Sequence, residues 1–222
     1  MIETAYLQPG RFVESDDPAI LALAARVLEG ADGDPVSRAI RLYYAVRDGV
    51  AYDPYIPFNR PESYSARQAL ACGRAFCVPK AALLAAVARA AGIPARLGFA
   101  DVKNHLATPR LIDMNGGDVF HWHAYTELYL DGRWVKSTPA FDLPLCERFG
   151  VLPLDFDGRT DSIFHPFDRF DRKHMDYVLD RGTYADVPFD KIVATMRVVS
   201  PKLLDEAAFA GSRTFAAEAA GD

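Results

Sequence analysis

The chain has 222 residues, 50% of them hydrophobic and 25% charged, which is material for one sizeable core and little room for two. With 25 Lys and Arg against 30 Asp and Glu, the formal charge of -5 leaves no basic field to draw it onto nucleic acid or an anionic membrane. No apolar run approaches the roughly 18–20 residues of a membrane span, and MIETAYLQPGRFVESDD has neither the basic start nor the apolar block of a signal peptide, so a single cytoplasmic domain with no nucleic-acid or membrane partner is expected.

In chain order, Ser15 and Asp16 stand where they can cap a first helix. Pro18 falls in its first turn, and Ile20, Leu21, Leu23, Ala24 and Val27 recur at helical spacing toward Gly30. A second helix follows Asp34 and Pro35 and runs through Ala39, Ile40, Tyr43 and Val46 to Gly49. The proline-bearing stretch Tyr52 to Ser63 reads as an extended surface loop, and Ser65 then caps a short helix, Ala66 to Ala71, closed by Gly73. Val78 to Ala91 has the clearest helical pattern. Pro79 suits its first turn, Leu83, Leu84, Val87 and Ala91 form a stripe, and Gly92 and Pro94 end it, so Cys77 sits at the helix start.

Beyond Pro94 the pattern turns to strands: Ala95 to Ala100, Arg110 to Met114, and a hairpin of Trp122 to Leu130 with Arg133 to Ala140. Asp131-Gly132 supplies the two residues of positive φ that a type I′ turn needs. A short helix near Leu145 to Phe149, a loop-rich acidic stretch from Asp155 to Asp190, and helical material at Ile192 to Val198 and Lys202 to Phe209 complete the chain, with a frayed last dozen residues. Asp155, Asp157, Gly158 and Asp161 lack the full spacing and closing Glu of a calcium loop. Helices first and strands second imply an α+β fold, helices packed on an antiparallel sheet. The expectation is one domain over 1–222, with a core of about 34–145 and an extension, 146–222, over the cleft.

Cys72, Cys77 and Cys146 are odd in number and widely spread, with no disulfide framework and no CxxC pair for zinc. Cys72 and Cys146 read as packed thiols. At a helix N-terminus Cys77 meets the positive end of the dipole and free N–H groups, which favour the nucleophilic thiolate. Its base would be a histidine, and His123 opens a strand whereas His105, His165 and His174 read as surface residues. Pairing Leu130 with Arg133 sets Glu127 opposite Lys136 and Tyr129 opposite Trp134. Carried on, the register sets His123 opposite Ala140, with Thr138 and Asp142 as diagonal neighbours able to orient its ring. It also sets His121 opposite Asp142, a competing surface pair. His121 and His123 at i, i+2 have no third ligand at suitable spacing for a metal.

The run Gly73-Arg74-Ala75-Phe76-Cys77-Val78-Pro79-Lys80-Ala81-Ala82-Leu83-Leu84, then Arg89 to Arg96 with its Gly92-Ile93-Pro94-Ala95-Arg96, and His123-Ala124-Tyr125-Thr126-Glu127-Leu128-Tyr129-Leu130 with Trp134 resemble the transglutaminase-like superfamily of papain-related cysteine enzymes. The resemblance covers roughly residues 50 to 145. It implies a papain-like core with its nucleophile at a helix N-terminus and a Cys–His–Asp triad, in which Cys77 forms a thioester acyl-enzyme and His123 moves the proton. Where the family carries Asp before a proline, this chain has Thr138 before Pro139. Asp142 is the candidate replacement and Thr138 the alternative third member.

The backbone N–H of Cys77 would stabilise the oxyanion, with Tyr52, Asn59 or Gln68 as side-chain donors. Tyr55, Phe58, Tyr64, Phe76, Phe120 and Trp122 are candidate cleft walls. The resulting expectation is a cofactor-independent and metal-independent cysteine amidohydrolase or acyltransferase, a cysteine protease or transglutaminase-like enzyme, acting on a peptide, protein or small amide. The alternative is a catalytically silent binding module on the same fold.

Overall fold

The computed structural model describes residues 3–105, 107–164, 170, 174–209 and 215–218. Helix α1 is Pro18–Val27, and Asp17, one residue past the expected caps, accepts the Ala19 N–H at 2.8 Å. Helix α2, Pro35–Gly49, starts as the sequence implies, with the Asp34 carboxylate on the Ser37 N–H at 2.9 Å. Strand β1, Ala51–Tyr52, follows. The stretch after it is no surface loop, because Asp53, Tyr55 and Phe58 are buried. Helix α3, Ala66–Cys72, is capped by Ser65 and closed by Gly73 at φ 63°, a left-handed position that suits glycine.

Strand β2, Arg74–Ala75, pairs with β1 in parallel and leads into helix α4, Cys77–Ala90. Every residue from Val78 to Arg89 is buried, which corrects the single apolar stripe expected. Helices α1, α2 and α3 pack around α4, and the sheet lies against it too. The small side chains of Ala81, Ala82, Ala85, Ala86 and Ala88 let these neighbours approach from all sides.

Strand β3 is Ala95–Asn104. The strand expected at Arg110 to Met114 is instead helix α5, Pro109–Asn115. Thr108 caps it through the Leu111 N–H at 3.2 Å, and Gly116 closes it at φ 82°. The hairpin is as expected in register: β4, Val119–Leu130, meets β5, Arg133–Ser137, with Leu130 opposite Arg133, Tyr129 opposite Trp134 and Glu127 opposite Lys136. Asp131 and Gly132 both have positive φ, 48° and 84°. The ladder stops at Ser137, short of Ala140, as proline at position 139 requires.

Helix α6, Leu143–Phe149, precedes strand β6, Met175–Tyr184, which lies inside the stretch expected as loop. Helix α7, Phe189–Val199, two 3₁₀ turns at Pro201–Leu204 and Glu206–Phe209 in place of the expected helix, and the short helix α8, Phe215–Glu218, follow. The sheet order is β5-β4-β3-β6, antiparallel throughout, with helices against it. This is the α+β class that the order of patterns implied.

Candidate active site

Two elements converge on one cleft. Helix α4 brings Cys77 to its N-terminus, and β4 runs past it beyond the end of β5, where the strand edge is free of its partner. Cys77 is half-buried, and the backbone N–H groups of Ala124, Val78 and Cys77 itself act on its thiol. Those donors favour thiolate, as the helix position implied. Burial outweighs them and pushes the thiol up to about 11, so the resting group is a neutral thiol rather than the thiolate expected.

His123 immediately precedes Ala124 and lines the same cleft as Cys77, together with Tyr52, Phe120, His121 and Phe141. Its ring is buried, 4.9 Å from the Phe164 ring between centroids, and burial pushes its pKa down to about 3. The imidazole is therefore neutral at pH 7. Its Nε2 is buried without a hydrogen-bond partner among the described residues, a position that calls for a water or a substrate proton.

Asp142 is not the group that holds it. One carboxylate oxygen accepts the Tyr52 N–H at 2.7 Å and the other the Leu145 N–H at 3.1 Å, so Asp142 caps α6 and ties it to β1. The register extrapolated to Ala140 fails because the chain leaves the sheet after Ser137. Thr138 is buried at the end of that ladder. Its C=O accepts the Tyr43 hydroxyl at 3.1 Å and its N–H donates to the Ser162 C=O at 3.0 Å, while its Oγ1 has no partner among the described residues.

His121 does not pair with Asp142 either. Its Nδ1 lies 2.8 Å from the Asp101 carboxylate, which also takes two bonds of 2.7 Å from Arg181 and the Trp122 N–H at 3.1 Å. A bulge opposite Asp101 makes this possible, with Trp122 at φ 60°. The extra residue breaks the simple i, i+2 relation between His121 and His123, and no cluster of three metal-ligating side chains occurs among the described residues.

Of the side-chain oxyanion donors considered, Tyr52 lines the cleft, and burial holds its phenol well above the usual range, as a protonated donor. Asn59 bonds Glu206 at 3.3 Å and Gln68 reaches the Cys72 sulfur at 3.2 Å, so neither serves Cys77. Phe58, Phe76 and Phe120 do wall the cleft, whereas Tyr64 and Trp122 belong to the core. Cys146 is a packed thiol, pushed up to about 12 by burial, and Cys72 is exposed. His105 pairs with Asp176 at 2.8 Å, His174 is buried beside Phe141 rather than on the surface, and His165 lies outside the described residues. Sequence reasoning missed Phe141, Met175, Met196 and Phe215, all cleft-lining and all beyond the hairpin.

No described helix is long and apolar enough to cross a membrane. No curated protein matches the chain. A solved structure from Cytophaga hutchinsonii, described as "a Putative Cysteine Protease", is 19% identical, with a TM-score of 0.46 over 81% of this chain and 53% of that one. Another, from Parabacteroides distasonis and described as "a putative protease", is 17% identical, with a TM-score of 0.41 over 60% of this chain and 26% of that one. This chain thus spans about half the length of the first. The sequence pattern of the transglutaminase-like superfamily matches residues 22–139, more than half of the chain, from α1 through β5 and including Cys77, His123 and Thr138. The chain belongs to the transglutaminase-like superfamily.

Proposed function

We propose that the protein is a cysteine-dependent acyl-transfer enzyme working through a thioester on Cys77, with a peptide, protein or small amide as substrate. The observation that carries this reading is that Cys77, at the N-terminus of α4, and His123 line one and the same apolar cleft. As Sγ attacks the carbonyl carbon, its proton passes to the neutral His123. The carbonyl oxygen takes up the negative charge, with the Cys77 N–H and the Tyr52 hydroxyl as its donors. Collapse breaks the C–N bond, and the leaving amine takes the proton from His123. Water or a second amine then attacks the thioester, gives its proton to His123, and Cys77 recovers it as the product leaves. Water gives a hydrolase and an amine gives a transferase.

Thr138 is the residue we assign to orienting His123. Its buried hydroxyl makes no bond to His123 in this structure and is left uncommitted among the described residues, so it would have to turn to the ring, whereas both Asp142 oxygens are already taken by backbone donors. A neutral partner also suits an imidazole that rests neutral. We place the enzyme in the cytoplasm, where three unpaired cysteines are at home, as one domain whose extension, 146–222, covers the cleft. Acylation by p-nitrophenyl acetate tests the chemistry. One hydroxylamine-sensitive acetyl group on the Cys77 peptide is expected, absent in Cys77→Ala and formed about 10²–10⁴-fold more slowly in His123→Gln. Absence of that adduct, or equal acylation of Cys72 and Cys77, would leave a silent binding module on the family fold.

A further inference from the structure

One wall of the cleft beside Cys77 is made by a segment from the chain's own C-terminal region. Phe215, in α8, is only 4% exposed and lines the same cavity as Cys77 and His123. Its ring meets Tyr52 at 5.7 Å and Tyr55 at 5.9 Å edge-on and stacks on Phe149 at 5.1 Å. Three residues on, the Glu218 carboxylate is held by three donors from two segments, the Tyr55 loop and the start of α5. Tyr55 Oη donates to Oε2 at 2.6 Å, Thr108 Oγ1 donates to Oε2 at 2.9 Å, and Arg110 Nη1 donates to Oε1 at 3.0 Å. Arg110 also lies over the Tyr55 ring, 4.1 Å from its centroid. The backbone between the two anchors is fixed by Arg148 Nη1 on the Ala216 C=O at 3.1 Å.

An apolar socket, a carboxylate clamp and a backbone donor between them are the parts a peptide-binding cleft needs, here satisfied intramolecularly. Tethering makes such a segment a strong competitor, at effective concentrations in the millimolar range for short connections. Nothing in α6, α8 or the Tyr55 loop requires this particular occupant. Any chain with the same two side chains in the same spacing would make the same contacts.

We propose that the socket at Tyr52, Tyr55 and Phe149 with the clamp of Tyr55, Thr108 and Arg110 is a two-point peptide subsite. It selects a bulky aromatic residue followed three positions later by a carboxylate, and Phe215–Glu218 stands in for that peptide until it is displaced. That the bound peptide is a substrate rests on the acyl-transfer reading above; the subsite itself does not.

Isothermal titration of the 222-residue chain with the blocked peptides Phe-Ala-Ala-Glu and Phe-Ala-Ala-Gln tests it without recourse to catalysis. In a Phe215→Ala, Glu218→Gln double variant, the acidic peptide should bind at least about tenfold more tightly than to the wild type, and about tenfold more tightly than the neutral peptide. Adding Arg110→Met should abolish that discrimination. Glu218→Gln alone leaves the aromatic anchor in place, and should show the same preference should the double variant unfold. Equal affinity for the two peptides overturns the clamp, and equal affinity of wild type and variant overturns the internal occupant. Selective binding with no acylation of Cys77 would retain the subsite and discard the enzyme.

Discussion

In the proposed reaction His123 carries the proton, and burial has set its charge. Its ordinary value of 6.5 falls to about 3 in the fold. The unfolded state therefore binds an extra proton between those values, and the stability gained by keeping the ring neutral is present above pH 6.5 and lost as pH falls toward 3. This loss should amount to a few kcal/mol. Urea midpoints at pH 7 and pH 4.5 should differ less in His123→Leu, which suits the apolar neighbour Phe164, than in the wild type. Asp142→Ala should cost about 1–2 kcal/mol as a lost helix cap while leaving that acid dependence in place, because Asp142 serves the Tyr52 and Leu145 N–H groups. Cys77 was legible in the sequence because it starts α4; the hairpin pattern places His123 on β4, although the strand begins at Val119 and His123 lies within it rather than at its start. The role of Asp142 was not legible, since counting along a ladder fails once proline at position 139 takes the chain out of the sheet.

At the scale of elements, α4 shows what periodicity conceals. A helix buried on every side has no stripe, and Lys80 in its first turns gives no sign in the sequence of being wholly enclosed. Its ammonium donates to the Arg47 C=O at 2.8 Å and to the Val50 C=O, carbonyls at the end of α2, so the helix that carries Cys77 is locked to its neighbour. Burial lowers Lys80 to about 7 from 10.5. The unfolded lysine holds its proton over that interval and the folded one releases it, so wild-type stability should rise by a few kcal/mol from pH 7 to 10.5. Lys80→Met should remove the rise and leave the two carbonyls unpaired at about 1–3 kcal/mol, as chemical denaturation at pH 7 and pH 9.5 would measure. The misread elements share a cause. Arg110 to Met114 has a mixed apolar pattern that Thr108 and Gly116 resolve into a helix, and β6 carries Asp176, Asp180 and Arg181 among exposed Tyr177, Val178 and Leu179, the mark of an edge strand that takes its register from β3.

Across the whole molecule, the ends of the chain are fastened by polar contacts that no local pattern reveals. The Asp186 carboxylate accepts the N–H groups of Arg11 at 2.6 Å, Phe12 at 3.2 Å and Val13 at 3.0 Å, joining the N-terminal segment to the turn between β6 and α7. Gly10 allows it, because a Cβ there would fall 2.5 Å from that carboxylate. Arg89, at the far end of α4, binds the Gln8 C=O at 2.7 Å and the Ala95 and Ala185 carbonyls. Asp186→Ala should therefore cost about 1–3 kcal/mol, seen as a lower urea midpoint. These links enclose α4, which presents Cys77 to β4. The most direct measurement of the Cys77–His123 pair is the pH profile of Cys77 alkylation by iodoacetamide, read by peptide mass in wild type and His123→Gln. A neutral thiol served by a neutral imidazole predicts a wild-type rate that is level from mildly acid to mildly alkaline pH and falls off near pH 3. In the variant the level region should vanish, leaving a rate that climbs about tenfold per pH unit toward the thiol's own value near 11. Superimposable profiles for the two proteins would contradict the pair and leave Cys77 as an enclosed thiol with no base.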